Sequence, residues 1–445
     1  MTTAPALDDP FAELRPRLSR DEAIVEADRC LECGGPYAPA PCVTACPADV
    51  DVPTFVAEIA RDDPGAAART IFAENLLGGT CSRVCPVEVL CEGACVLNEE
   101  GRPPIAVGAL QRYAADHAFD QGFRLRPNPR RQRRGQVAVI GAGPAGLACA
   151  GELASLGYRV KVYDGRPEVG GLVRYGIAPY RLRSEPLSQE ARMLEQLGVE
   201  LRLEEPIDAP EALRRIEDGA DAVFLGIGLG KDVDADLPGS DLPGVWHSLE
   251  FIEALKTGRP PAVGRRTIVI GGGNTAVDVA REALRLGSAV VTLAYRRTEA
   301  EMPAFRHEVE EARAEGIDFH WLAAPTRFVG EYHLTGVECS LMQLGEPDES
   351  GRRRPQPVDG SEFVLPADTA VIAIGQQPRG DLLGWIAGLE LEHGKVKIDP
   401  ATGRTGNPKY YTGGDAVNGG ATVVEAVRGA KIAARAIHSK LGGER

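Results

Sequence analysis

Eight of the ten cysteines fall between Cys30 and Cys95, while Cys149 and Cys339 stand apart from them and from each other. The first group reads Cys30-x2-Cys33-x8-Cys42-x3-Cys46-Pro47, and the second Cys81-x3-Cys85-Pro86-x4-Cys91-x3-Cys95. Thiols crowded in this way point to metal. Structural zinc favours repeated C-x2-C pairs, and only one such pair is present. A run closing in Cys-Pro instead approximates the bacterial ferredoxin pattern, whose last cysteine serves the other cluster. Two [4Fe–4S] clusters are therefore expected, and simple counting gives each of them four thiolates, Cys81 included.

Two glycine loops carry a second kind of chemistry. Val137–Ile140 reads as a buried strand entering Gly141-Ala142-Gly143-Pro144-Ala145-Gly146 and then a helical stretch. Gly141 permits the tight turn, Gly143 admits a pyrophosphate against the backbone, and Gly146 lets the helix pack on the strand. Asp164, at the end of the next strand, is placed for ribose hydroxyls. The second loop follows Thr267–Ile270 as Gly271-Gly272-Gly273-Asn274-Thr275-Ala276, and its next strand ends in Tyr295-Arg296-Arg297. An acid there would repel a 2′-phosphate and arginines attract one, so NADP(H) is expected in preference to NAD(H), with Arg306 a weaker candidate.

Two such loops predict two dinucleotides, FAD and NADP(H). Val169-Gly170-Gly171-Leu172 and Thr412-Gly413-Gly414-Asp415 have no counterpart in the second unit and assign FAD to the first. Thr422 opens a helix to Ile437, whose positive end is expected at the flavin. A flavin accepts a hydride and releases single electrons, which makes it the adaptor between nicotinamide and cluster. Hydride transfer depends on orientation more than on acid–base help, so no catalytic side chain is expected, and the seven histidines form no ligand-spaced set. A disulfide reductase would need a cysteine pair near the flavin, and Cys149 and Cys339 read as buried small residues.

The elements that must hold these groups follow from patterning. A chain of 445 residues implies two to four domains, and 43% hydrophobic with 26% charged residues excludes a disordered one. A net charge of −14 argues against nucleic acid as a partner. The N-terminus has neither a basic region nor an apolar core of a secretory leader, and glycines break the longest uncharged run, Gly135–Gly151. No membrane span and a cytoplasmic location are expected. Residues 1–121 read as helical. Ser19 and Glu22 form a capping box ahead of the stretch to Cys30, and Pro53 opens a helix bearing Val52, Phe55, Val56 and Ile59. Asp62–Gly65 reads as a turn, Ala66–Leu77 as a third helix and Val107–Phe119, with Gln111, as a fourth. Residues 122–135, with six arginines and two prolines, read as a solvated connector.

Taken together, these features resemble the small subunit of glutamate synthase and the flavoprotein half of dihydropyrimidine dehydrogenase over about residues 20–440. The resemblance implies an α/β fold in which a helical iron–sulfur domain precedes two Rossmann-like domains, as in glutathione reductase. The FAD domain would be discontinuous, 136–250 and 376–445, with an NADP(H) domain inserted at 251–375. FAD roles fall on Gly141, Gly143, Gly146, Asp164, Gly171, Arg181 and Asp415, and NADP roles on Gly273, Asn274, Thr275, Arg296 and Arg297, with Ala373–Gly375 closing over the nicotinamide. By the same resemblance Cys30, Cys33, Cys42 and Cys95 hold one cluster, and Cys46, Cys85, Cys91 and Gln111 the other. The eight-residue spacer between Cys33 and Cys42 is longer than either family usually shows. An FMN-containing catalytic subunit or a ferredoxin is the implied partner, in a hetero-oligomer. Rival readings are a subunit of an electron-bifurcating transhydrogenase and an iron–sulfur scaffold without catalysis.

Overall fold

The computed structural model describes residues 9–35, 37–125, 135–348 and 351–442, so most of the expected connector lies outside the described residues. It divides into two compact units. One comprises Glu13–Arg174, Arg181–Gly230 and Pro378–Arg445; the other is built on Tyr175–Tyr180 and Lys231–Gln377.

In the first unit the Arg20–Ala27 helix starts at the expected box, with Ser19 and Glu22 capping each other's backbone N–H groups. Val52–Ala60 buries Val52, Phe55, Val56 and Ile59, and Asp51 caps it through the Thr54 N–H. The expected turn at Asp62–Gly65 is shorter than that. Asp63 caps and Pro64 opens a helix that runs from Pro64 to Glu74, not to Leu77. It stops because Asn75 is extended and turns its side-chain oxygen to the Leu77 N–H, which frees Gly78–Val84 to form a separate helix bearing Cys81. Val107–Asp120 completes the helical part.

The same unit contains a five-stranded parallel sheet in the order Tyr410–Thr412, Ala222–Leu225, Gln136–Ile140, Arg159–Tyr163, Glu200–Arg202. Pro144–Ser155 and Val423–Lys440 pack on each other beside it. The other unit repeats the plan with Val245–His247, Thr369–Ala373, Arg266–Gly271, Val290–Tyr295 and Asp318–Trp321, all parallel. An antiparallel set, Ala323–Gly330, Leu334–Pro347, Arg353–Pro357 and Phe363–Pro366, is appended to it. Val245–His247 belongs to this second sheet, whose strands all lie in the Lys231–Gln377 segment. A three-residue strand carries too little pattern to show this in advance.

The Gly78–Val84 helix, which bears Cys81, packs directly on the Glu185–Gln196 and Val423–Lys440 helices. A side-chain carbon at Gly151 would come within 2.0 Å of the Leu76 methyl and 2.7 Å of the Leu194 methyl, so any larger residue there would displace both side chains. Glu190, on the Glu185–Gln196 helix, is 1% exposed and accepts from the Thr80 N–H at 2.9 Å and the Thr80 hydroxyl at 2.5 Å. It satisfies the first turn of the Cys81 helix, whose own N-cap, Leu77, makes no side-chain hydrogen bond. Burial pushes its carboxyl from an ordinary 4.5 up to about 7, with the Thr80 bonds and Arg83 acting in the opposite direction.

This makes stability depend on pH. Between the two values the unfolded chain ionises Glu190 and the folded one does not. Folding is therefore favoured at low pH, weakens as pH rises, and levels off above the folded value. Relative to Glu190→Gln, the wild-type protein loses about 2 kcal/mol between roughly pH 5.5 and 7.5. Denaturant melts of both proteins across that range check this, and parallel curves would contradict it.

Candidate cofactor sites

The Gln136–Ile140 strand turns at Gly141, where φ is +99° and a side-chain carbon would lie 2.4 Å from the Gly226 carbonyl oxygen. A carbon on Gly146 would lie 1.9 Å from the Gly141 oxygen. Gly143 is the N-cap of Pro144–Ser155 and offers no capping side chain, leaving the N–H groups after Pro144 open to an anion. Gly171 faces Gly143 across the loop, and Leu172 begins the next short helix. Asp164 receives the Ala142 N–H at 2.7 Å and the Arg166 N–H at 2.9 Å, locking the glycine loop to the second strand. Each carboxylate oxygen keeps a lone pair for a ribose hydroxyl.

Late in the chain, Gly414, with φ +72°, wedges between Ala145 and Ala426. Asp415 follows, half-buried, and accepts from the Ala421 N–H at 3.1 Å; burial raises its carboxyl. Thr422 caps Val423–Lys440 in a box with Glu425. Gly141, Gly143, Gly146, Asp164, Gly171, Gly414, Asp415 and Thr422 are thus gathered in one unit at the carboxyl ends of its parallel strands, where open α/β sheets bind ligands. Arg181 is half-buried in the same unit. A phosphate cradle that a side-chain carbon would fill fits a dinucleotide.

In the other unit Gly271 is equally constrained, since a side-chain carbon would lie 2.2 Å from the Ala373 oxygen. Gly273 caps Asn274–Arg285 with open space around it, and Gly375 is open too, with φ +120°. Asn274 accepts from the Phe305 N–H at 2.9 Å, and Thr275 is half-buried beside it. The two strand-end arginines part ways. Arg296 is exposed, whereas Arg297 is 5% exposed, pairs with Asp348 at 2.8 Å and donates to the Arg353 carbonyl at 2.8 Å. Arg306 pairs with Glu310 at the surface.

The cysteines sort into two neighbourhoods. Burial raises the Cys30 thiol and pushes Cys42 up to about 11, and both feel Cys95; Cys30 also feels Cys33. Cys46, Cys81, Cys85 and Cys91 form the other neighbourhood, and Cys91 also feels Cys42 of the first. Burial raises Cys46 and Cys91, and a hydrogen bond with Cys81 raises Cys85 first of all. Such thiols bind iron as thiolates, and the metal itself supplies the charge that ionises them. Cys81 is 2% exposed, one turn ahead of Cys85. Gln111 reaches the same helix from Val107–Asp120, its amide nitrogen donating to the Gly78 carbonyl at 2.7 Å. Among the described residues no three His, Cys, Asp or Glu side chains are arranged to hold a single metal ion.

Two features of this region lay outside the sequence reading. Glu190 gave no signal, since a glutamate on an amphipathic helix reads as solvated. Lys431 did give one: it sits on the stripe Val424, Val427, Ala434, His438 that the last helix buries.

Comparison with known proteins matches these regions separately. Residues 7–123 match the family described as dihydropyrimidine dehydrogenase domain II, 4Fe–4S cluster, and residues 135–430 the pyridine nucleotide-disulphide oxidoreductase family. The glutamate synthase [NADPH] small chain of Halomonas elongata is 40% identical over 432 residues, 94% of this chain and 90% of that one. The NADP(+)-dependent formate dehydrogenase subunit beta of Moorella thermoacetica is 38% identical over 91% of this chain, which spans 60% of that protein. Among solved structures, Mycobacterium tuberculosis FprA in complex with NADPH aligns with a TM-score of 0.58 at 21% identity, over 70% of this chain and 85% of that one, and shares the fold. No helix among the described residues is long and apolar enough to cross a membrane. With its 4Fe–4S domain joined to paired dinucleotide loops, the chain belongs to the glutamate synthase small-chain family of FAD- and NADP-dependent oxidoreductases.

Proposed function

We propose that this chain is the electron-input subunit of a larger cytoplasmic enzyme, oxidising NADPH and delivering single electrons through two [4Fe–4S] clusters to an FMN-containing partner. The observation that carries the reading is that both cysteine neighbourhoods and the Gly141–Gly146 loop belong to one compact unit. Bound at that loop, FAD would supply the conversion from two-electron to one-electron chemistry that nicotinamide and iron–sulfur clusters require between them. The chain's own residues then have positioning roles. Asp164 holds the loop and the ribose, Asp415 and the Thr422 helix end face the flavin, and Gly273 admits the coenzyme pyrophosphate. The high identity to glutamate synthase small chains supports glutamate synthesis as the destination. A formate dehydrogenase subunit of 38% identity supports a second reading, exchange of electrons with another redox partner such as ferredoxin.

For the clusters, we infer that Cys30, Cys33, Cys42 and Cys95 bind one, and Cys46, Cys85, Cys91 and Gln111 the other. What supports Gln111 over Cys81 is the family resemblance, together with the reach of Gln111 to the first residue of the Cys81 helix, the Gly78 carbonyl. For coenzyme choice, Arg296 is the 2′-phosphate ligand and Arg297 anchors the Asp348 segment.

Three measurements test these statements. The purified chain should bleach its flavin with NADPH and reduce artificial dyes, yet form neither glutamate from 2-oxoglutarate and glutamine nor dihydrouracil from uracil; product formed by this chain by itself would refute the subunit reading. Arg296→Gln should raise KM for NADPH more than about tenfold with little effect on NADH, since one charge-assisted bond contributes about 1.5–3 kcal/mol. Arg297→Gln should instead lower thermal stability and leave the coenzyme preference unchanged. A selective NADPH defect in Arg297→Gln would reverse the assignment. Finally, iron analysis and EPR should find near-normal iron in Cys81→Ser and a lost or altered signal in Gln111→Ala, and the opposite pattern would restore the all-cysteine count.

A further inference from the structure

Lys431 lies in the third turn of Val423–Lys440, 4% exposed, on the face the helix buries. All three of its ammonium protons are engaged: by the Ala48 carbonyl at 2.7 Å, the Glu74 carbonyl at 2.9 Å and the Glu74 carboxylate at 2.8 Å. A buried ammonium is costly unless fully bonded, and a merely structural contact here could be made by an apolar side chain of similar length. The partner Ala48 is therefore informative. It belongs to the turn Cys46-Pro47-Ala48-Asp49, closed by the Asp49 N–H to the Cys46 carbonyl at 3.0 Å with Asp49 at φ +60°. Within that turn the Cys46 sulfur accepts the backbone N–H groups of Val50 and Ala48. Lys431 thus grips, from the flavin-side helix, the segment that solvates one ligand sulfur. The same helix begins at Thr422, beside the flavin loop, so about 13 Å of helix joins the two ends.

We propose that Lys431 is a positioning residue for electron transfer, pinning the Cys46 turn and using its buried positive charge to raise the reduction potential of the cluster that Cys46 binds. The proposal rests on the two-cluster reading above. The step concerned adds one electron, and so one negative charge, to that cluster; its source is NADPH by way of the flavin, and no atom moves onto the cluster. A positive charge nearby stabilises the added charge, and N–H bonds to the ligand sulfur act in the same direction. Glu74 offsets part of the charge, and its carboxylate is 42% exposed, so removing the ammonium leaves a net negative group beside the turn. Burial also raises the Glu152 carboxyl, which lies within the influence of Lys431, Arg435 and Glu74.

The test is an EPR-monitored redox titration of anaerobically purified wild type, Lys431→Arg, Lys431→Gln and Lys431→Met, with flavin and iron content measured alongside. Wild type must first show FAD and two resolvable cluster signals; one signal or none refutes the two-cluster reading, not the role of Lys431. Given both, Lys431→Arg should match wild type. Lys431→Met and Lys431→Gln should make one cluster harder to reduce, shifting its equilibrium with a one-electron donor about tenfold, or about 59 mV, and leave the other cluster unmoved. Unmoved potentials in Gln and Met variants that retain iron overturn the proposal, as does an equal shift of both clusters. If Met and Gln lose iron, retention by Arg supports the proposal, and loss in Arg as well overturns it.

Discussion

Three stretches of backbone meet at Gly141, Gly146 and Gly226 with no room for a side chain between them. A carbon on Gly226 would lie 2.7 Å from the Gly146 nitrogen, and one on Gly146 only 1.9 Å from the Gly141 oxygen. Because the contacts are backbone to backbone, no rotamer change can relieve them. This close approach brings the Pro144–Ser155 helix down onto its strand with its N-terminus at the sheet's carboxyl edge. The phosphate cradle, the Asp164 lock on Ala142 and the wedge of Gly414 against Ala145 all require that placement. The second unit repeats the constraint at Gly271, against the Ala373 oxygen.

The same helix ties the flavin unit to its cysteines. Gly151, farther along Pro144–Ser155, admits Leu76 at the junction with the Cys81 helix. Glu190 and Lys431 then bond polar groups of the helical part that would otherwise be buried without partners. Apolar packing alone would allow the two parts to slide. Directional bonds to Thr80 and Ala48 fix where the cysteine segments stand.

The glycine loops, the Ser19 box and the final helix were readable because each rests on local chemistry: a turn only glycine can make, a reciprocal cap, or an apolar stripe. What was not readable depends on distant partners. Nothing near Arg297 announces that Asp348, 51 residues on, will take its guanidinium. Val245–His247 is too short for a period to emerge, and its sheet is set by pairing with Thr369–Ala373. Asn75 ends a helix in which periodicity alone would continue, because its side chain competes for a backbone N–H. The two cysteine neighbourhoods interleave along the chain, with Cys95 joining Cys30 and Cys42, so spacing counts the thiols without sorting them.

A flavin and two electron-carrying clusters on one chain, as proposed, would fix its stoichiometry, which is the most direct measurement. Anaerobically isolated protein should contain about one FAD, about eight iron atoms and about eight acid-labile sulfides per chain, and should take up about four electrons on full reduction. A preparation with full flavin but about four irons, or with zinc and no labile sulfide, would contradict the account.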